Sequence, residues 1–285
     1  MKHIPKCKRP AALLLAACLL VGLLSGCGAK PEPEDPTQTA PTETTAAPTE
    51  TTAAPTETTA APTSAVPADA PATKAELDDF EEMFTIFASF AYCVNEDLNY
   101  DSAAENALPV ALYSIRNVWY DLYGYYREKK GWQGEEKFVS DSEYDEAAER
   151  YVFKTPDPLG LVNWYYYEQI PAKRVDWILE NILNVQPDHN FNSFQREDRE
   201  KYSCLQCYYH DGSYYYGLGD GGDAGVLARV DSETLGADGM YTLRVSLVSY
   251  GDDSVLETCT VKAKLRDVDG SREWQIHTVQ ANGLT

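Results

Sequence analysis

Hydrophobic positions recur every three or four residues through the first half of the region after residue 73, which is the spacing of one face of an α-helix. The clearest stripe begins at a capping box, in which Thr73 and Glu76 satisfy each other's free amides. The segment 159–169 is ambiguous. The pattern predicts helices over residues 74–94, 108–130, 140–151 and 171–184.

From about Tyr202 the apolar period changes to two, which is typical of half-buried strands. Short turn-forming segments separate the alternating runs, so neighbouring strands should be antiparallel. The order predicts one α+β domain over 74–285, helical in 74–200 and β-rich in 201–285, with N-terminal helices packed on one face of a C-terminal antiparallel β-meander. As a fold analogy, a cone-like arrangement of the cystatin or nuclear-transport-factor kind fits this order.

The first 27 residues combine a cationic start, an apolar run from Ala11 to Leu24 and the sequence Leu-Ser-Gly-Cys ending at Cys27. This order resembles the lipobox signal of bacterial lipoproteins. The apolar run is shorter than the roughly 20 residues that span a bilayer. The resemblance implies a signal peptide over 1–26 and a lipid anchor on Cys27, which holds the protein on the outer, extracytoplasmic face of the cell membrane. An ordinary secretory signal and an uncleaved helix are the alternatives.

A low-complexity segment follows the anchor. The heptapeptide Ala-Pro-Thr-Glu-Thr-Thr-Ala occurs three times in succession, over 40–46, 47–53 and 54–60. A proline in every repeat and the absence of Leu, Ile and Val exclude a coiled coil. Residues 27–73 are therefore predicted to be the lipidated cysteine followed by a disordered, partly polyproline tether.

The chain is acidic, with 45 acidic against 24 basic residues and a net charge of −21. This charge argues against a nucleic-acid partner, because such proteins need a basic footprint. No Walker, G-x-S-x-G or H-E-x-x-H motif is present, so the sequence predicts no cofactor, metal or catalytic residue. Glycoside hydrolases use a pair of carboxylates, but a chain with 45 acids brings some pair close together in any fold. The acids therefore do not indicate such an enzyme. The glycine-rich stretch 217–225 is interpreted as a flexible hairpin connection.

The cysteines after the leader are Cys93, Cys204, Cys207 and Cys259. The spacing Cys204-x-x-Cys207 suggests a redox or metal motif, but it falls in a predicted strand, where positions three apart face opposite sides. Buried free thiols are therefore the preferred interpretation, with a single disulfide among the four as the alternative.

On this acidic protein, basic side chains gather on the polar face of the predicted sheet. We call this set the cationic strip, and it consists of Arg244, Lys262, Lys264, Arg266 and His277. Keeping the apolar faces together pairs Leu243 with Val261. The same rule in the last two strands puts His277 opposite Lys262. The strip could meet an anionic surface, or it could be a solvated face balanced by acids from the helices.

The chain has 20 tyrosines, several of them consecutive, as in 165–167, 208–209 and 214–216. Consecutive side chains of a strand face both ways, so each cluster is expected to expose at least one ring. Tyr214 and Tyr216 are therefore candidates for stacking on a sugar or a partner protein. The alternative is that tyrosine serves only as a good strand former.

Together these patterns predict a cell-surface lipoprotein whose domain is a non-catalytic binding module on a flexible stalk. Its expected partners are the membrane, through Cys27, and an anionic wall polymer, a glycan or a surface protein. One alternative is an extracytoplasmic enzyme acting on cell wall or carbohydrate, favoured if two or more acids converge in a deep, aromatic-lined cleft. The other is a structural or sensor domain without a small-molecule ligand.

Overall fold

The computed structural model describes residues 70–94, 98–116, 121–163, 165–202, 204–218 and 225–282, with the backbone alone at 90–94. Every described residue belongs to one compact unit, Pro62–Thr285. The predicted signal peptide, Cys27 and nearly all of the predicted tether therefore lie outside the described residues.

Within these residues the chain forms helices and antiparallel strands. The helices are α1 (Lys74–Val94), α2 (Ala107–Ile115), α3 (Leu122–Lys130) and α4 (Ala172–Asn181). The strands up to α4 are β1 (Tyr100–Asp101), β2 (Lys137–Val139), β3 (Ser142–Asp145), β4 (Arg150–Phe153) and β5 (Tyr166–Pro171). The strands after α4 are β6 (Cys207–His210), β7 (Ser213–Leu218), β8 (Val226–Leu235), β9 (Tyr241–Ser249), β10 (Val255–Val268) and β11 (Ser271–Ala281).

The strands form two larger sheets and one hairpin. The C-terminal sheet has the order β1-β11-β10-β9-β8, so its last four strands are a meander. The second sheet has the order β2-β5-β7-β6, and β3 pairs with β4 alone. The α+β class and the C-terminal antiparallel meander are confirmed. The second sheet draws two strands, β2 and β5, from the region predicted to be helical.

Helix α1 packs on the apolar face of the C-terminal sheet. The side chains of Phe80, Phe84 and Phe87 are fully buried, and the ring of Phe80 meets that of Trp274 edge-on at 5.2 Å. The indole Nε1 of Trp274 donates to the carbonyl oxygen of Glu76 at 2.6 Å. Burying one such side chain stabilises the fold by about 1.5–3 kcal/mol, so these aromatic contacts contribute to holding the helix on the sheet.

The helix predicted over 108–130 is interrupted, and this prediction is wrong in its middle. Asp121 caps the N-terminus of α3 by accepting from the backbone N–H of Gly124 at 2.8 Å. Arg116, directly after α2, has extended backbone and forms buried ion pairs with Asp121 and Glu168. A continuous helix would turn these charged groups away from one another, so the ion pairs favour the break.

The short helix predicted over 140–151 is the hairpin β3–β4 instead. Tyr144 pairs across it with Tyr151 at a ring distance of 5.3 Å. The hydroxyl of Ser142 donates to the carbonyl oxygen of Tyr165 at 2.6 Å. The helix-forming residues between the strands lie in the turn, where Glu149 has a φ of 51°. Cross-strand packing has overridden local helix propensity here.

Candidate anion-binding surface

The cationic strip lies on the face of the C-terminal sheet opposite to the apolar face. Leu243 pairs with Val261 and Leu265 pairs with Trp274, so both predicted registers are confirmed. These apolar residues are buried. Because side chains alternate along a strand, the intervening residues of β9 and β10 face the other way.

The four lysines and arginines of the strip are open to solvent on two adjacent strands. Arg244, Lys262 and Arg266 are exposed, and Lys264 is half-buried. Alternate residues of a strand are about 6.8 Å apart, so the three cations of β10 form a nearly straight row. Arg244 lies on the neighbouring strand, directly opposite Thr260.

None of these four cations forms an ion pair with any residue that the structure describes. Other arginines of the same sheet do: Arg229 pairs with Asp253 at 2.6 Å and Arg272 with Glu76 at 3.1 Å. In the described part of the chain, no acid of a helix therefore forms an ion pair with a cation of the strip.

Hydroxyl side chains flank the cations. Lys262 lies between Thr242 on β9 and Thr278 on β11. Arg244 lies between Ser232 on β8 and Thr260 on β10. A ligand on this face would meet ammonium or guanidinium groups with hydroxyl donors beside them. This combination suits the oxygens of phosphate or carboxylate groups.

His277 is displaced from its predicted partner by a β-bulge. The residue opposite Lys262 is Thr278, and the register shifts between Lys262 and Ala263 because β11 has one extra residue there. The bulge does leave a signal in the sequence. Buried apolar positions of β11 are two residues apart at Trp274 and Ile276, but the next one, Val279, is three residues further on. The period-two argument assumed an unbroken alternation and therefore missed the bulge.

The imidazole of His277 is hydrogen-bonded to a side chain that follows α4. Asn184, shortly after α4, places its Nδ2 at 3.2 Å from Nδ1 of the histidine. The other ring nitrogen, Nε2, is buried and has no partner among the described groups. Burial lowers the pKa of His277, and the nearby positive charges of Lys264 and Arg266 lower it further. The ring is therefore neutral at pH 7 while the strip is empty of anions.

The prediction that Tyr214 and Tyr216 offer an exposed stacking surface is wrong. Tyr214 and Tyr216 are 0% and 1% exposed and belong to the main core. Tyr215 points to the other face and stacks on Tyr208 at 5.0 Å in a second, smaller core. The reason is that β7 lies between β5 and β6 and is covered on both faces. Because both faces of β7 are buried, none of these three rings is exposed, although alternation with one solvent-facing side would have exposed at least one.

The cysteines carry no shared site in the described chain. Cys207 and Cys259 are buried free thiols, as predicted, whereas Cys204 is free but exposed. It lies in the loop before β6, not in a strand. The side chain of Cys93 and residues 219–224 of the glycine-rich stretch lie outside the described residues. In the described part, no three His, Cys, Asp or Glu side chains gather closely enough to hold a metal ion.

A cleft of about 260 Å³ lies on the side of the second sheet, near the 3₁₀ turn Ser193–Gln195. Phe194 and Tyr202 contribute aromatic walls, but Glu200 is the only carboxylate among the described residues that line it. The feature that would favour a glycoside-hydrolysing site, two converging acids, is not met at this cleft.

Comparisons with family models, with curated proteins and with solved structures found no match to this chain. Among the described helices, none has both the length and the apolar character needed to cross a membrane.

Proposed function

We propose that this chain is a lipid-anchored cell-surface protein whose domain binds a linear anionic polymer of the cell wall through the cationic strip. The observation that carries the proposal is the set of four cations on β9 and β10, three exposed and one half-buried, that form no ion pair with any described residue. On a chain of net charge −21, four such cations gathered on one face are a local exception.

A linear polyanion fits this surface better than a compact anion does. The row Lys262, Lys264 and Arg266 follows one strand, and its repeat of about 6.8 Å allows successive charges of an extended polymer to meet successive side chains. Each exposed contact is weak and screened by salt, so useful affinity needs several contacts at once. The acidic remainder of the domain repels the polymer and restricts it to this face.

The anchor part of the proposal rests on Cys27 and the sequence before it. A lipid on Cys27 and a tether of Pro, Thr, Glu and Ala would display the domain beyond the outer face of the membrane. Replacing Cys27 by Ala should release the protein from the membrane fraction of cells that express it. Continued membrane association of C27A would contradict the lipid anchor.

The binding part is tested with the full chain in a neutral detergent and a purified poly(glycerol phosphate) chain as the probe. The triple variant K262E/K264E/R266E should bind at least about tenfold more weakly than wild type at low salt, because three attractive contacts become repulsive. The matched control is K137E/R150E/R199E, which changes the charge equally at exposed cations that also lack ion pairs in the described chain. It should change affinity less than about twofold.

Equal loss in both triple variants would show that overall charge, and not the strip, controls binding. Salt-resistant binding to uncharged wall glycans, unchanged in either variant, would replace the anionic polymer by a glycan. Absence of any polymer binding by wild type would overturn the proposal.

A further inference from the structure

The strip contains one group whose charge is adjustable near neutral pH, and the β-bulge positions it. His277 is the extra residue of β11 at the shift between Lys262 and Ala263. Burial lowers the pKa of this imidazole, and the positive charges of Lys264 and Arg266 on the neighbouring strand lower it further. The lysines and arginines keep their charge across the physiological range, so His277 is the only residue of the strip that titrates there.

The hydrogen bonds around His277 allow two protonation states. The amide Nδ2 of Asn184 reaches Nδ1 of His277 at 3.2 Å and Oγ of Ser102 at 2.8 Å. With Nδ2 as donor, Nδ1 of the neutral ring accepts. If the Asn184 amide turns over, its oxygen takes the same position and accepts from a protonated Nδ1 and from the Ser102 hydroxyl. The Asn184 amide and the Ser102 hydroxyl can each act as donor or acceptor, so protonation of His277 requires no backbone movement.

We propose that His277 takes up a proton when an anionic polymer occupies the cationic strip, so that acid strengthens binding; this inference rests on the proposed function. In the empty strip the charges of Lys264 and Arg266 disfavour an imidazolium. Bound phosphates offset those charges and so make protonation of the ring less costly. Because linkage is reciprocal, a ligand that favours the protonated ring binds more tightly wherever protons are available.

The charged groups near the ring come from two strands. Lys262, Lys264 and Arg266 belong to β10, and Asp101 of β1 lies opposite Thr278. The backbone N–H of Ala103 donates to the carboxylate of Asp101 at 2.9 Å. The remaining neighbours, Asn184 and Ser102, are neutral. Burial and the cations of β10 both lower the pKa of His277, and an anion bound over those cations would offset the second effect.

The test measures the affinity of the full chain for poly(glycerol phosphate) between pH 5.5 and 8, a range in which its phosphodiesters do not titrate. Wild type should bind about fivefold more tightly at pH 5.5 than at pH 8. His277→Gln should lose most of this pH dependence. His210→Gln, which removes a histidine from β6 of the other sheet, should keep it.

A second variant and a direct readout cover the case in which His277→Gln fails to fold. Asn184→Asp places a permanent acceptor against Nδ1 and should move the midpoint of the pH dependence to higher pH. By NMR of labelled histidine, the imidazole titration of His277 should move to higher pH when wild type is saturated with the polymer.

The outcomes separate the two proposals. Binding by wild type with the same pH dependence in His277→Gln, or an imidazole titration that the polymer leaves in place, overturns the role of His277 alone. No binding by wild type anywhere between pH 5.5 and 8 overturns the proposed function, and this inference with it.

Discussion

Glu273 lies directly opposite Arg266 in the β10–β11 register, yet its carboxylate binds the lysines of α3 instead. Lys129 approaches it at 2.9 Å and Lys130 at 2.7 Å, and the hydroxyl of Ser271 donates to it at 3.0 Å. The acid that the register places directly opposite Arg266 is thereby already neutralised. Helix α3 both attaches to the sheet edge and leaves Arg266 available to a ligand.

Replacing Glu273 by Gln should destabilise the domain. The fully buried carboxylate is the shared partner of Lys129 and Lys130, and its loss leaves two partly buried ammonium groups beside each other. We expect the free energy of unfolding to fall by about 3 kcal/mol in a urea titration. Asp78→Asn, which breaks the exposed pair with Lys74, should leave the free energy of unfolding nearly unchanged, because solvent screens that pair. Equal losses in the two variants would refute a structural role for the Glu273 cluster.

Stability should depend on pH through Glu168. Burial raises the pKa of Glu168 despite its ion pair with Arg116. A carboxyl whose folded pKa lies above the unfolded value, about 4.3, stabilises the fold fully below that value and loses this contribution as pH rises through the folded pKa. In urea unfolding between pH 4 and 7, Glu168→Gln should therefore gain stability relative to wild type as pH increases. A difference of the opposite slope would mean that Arg116 outweighs burial.

The contact between α1 and the C-terminal sheet should dominate stability. Phe80 is fully buried against Trp274, so Phe80→Ala should cost about 4 kcal/mol through lost burial and the cavity left behind. Phe138→Ala is the matched control, because Phe138 is 47% exposed on β2 and should cost less than about 1 kcal/mol. The comparison uses the midpoints and slopes of denaturant unfolding. A small loss for Phe80→Ala would contradict the packing of α1 on this sheet.

The three described cysteines should differ in their reactivity toward thiol reagents. Cys204 is exposed, while Cys207 and Cys259 are buried, and burial raises the pKa of Cys259 to about 12. Because the thiolate is the reactive form, a maleimide should label Cys204 under native conditions and reach the other two only after denaturation. Peptide mapping by mass spectrometry distinguishes the three sites. Native labelling of Cys207 at the rate of Cys204 would contradict its position in the core.

The elements that could be predicted are those in which local pattern and packing agree. The capping box is present, with the N–H of Thr73 donating to Glu76 at 2.7 Å, and α3 ends at Gly131 in the left-handed region with a φ of 67°. The alternation in β9 to β11 was strong enough to place Leu243 opposite Val261. Each of these features depends on residues that are neighbours in sequence or across one short turn.

The incorrect predictions share a different cause. The break between α2 and α3 depends on Glu168, more than 40 residues after Asp121 in the chain, and the burial of Tyr214 depends on which strands lie on either side of β7. The partner of His277, Asn184, belongs to a loop after another helix. No local period records such contacts, because they form only when distant segments meet.

The sequence alone was sufficient to predict the α+β class, the pairing of Leu243 with Val261 and of Leu265 with Trp274, and the gathering of the strip's lysines and arginines on one polar face. Those properties follow from side-chain alternation and short connections, which act over a few residues. The assembled fold is needed to establish that the tyrosines of β7 are buried on both sides, that the lysines of α3 bind Glu273, and that a bulge displaces His277 from its place opposite Lys262. These depend on burial and on competition between charges, which are properties of the assembled fold.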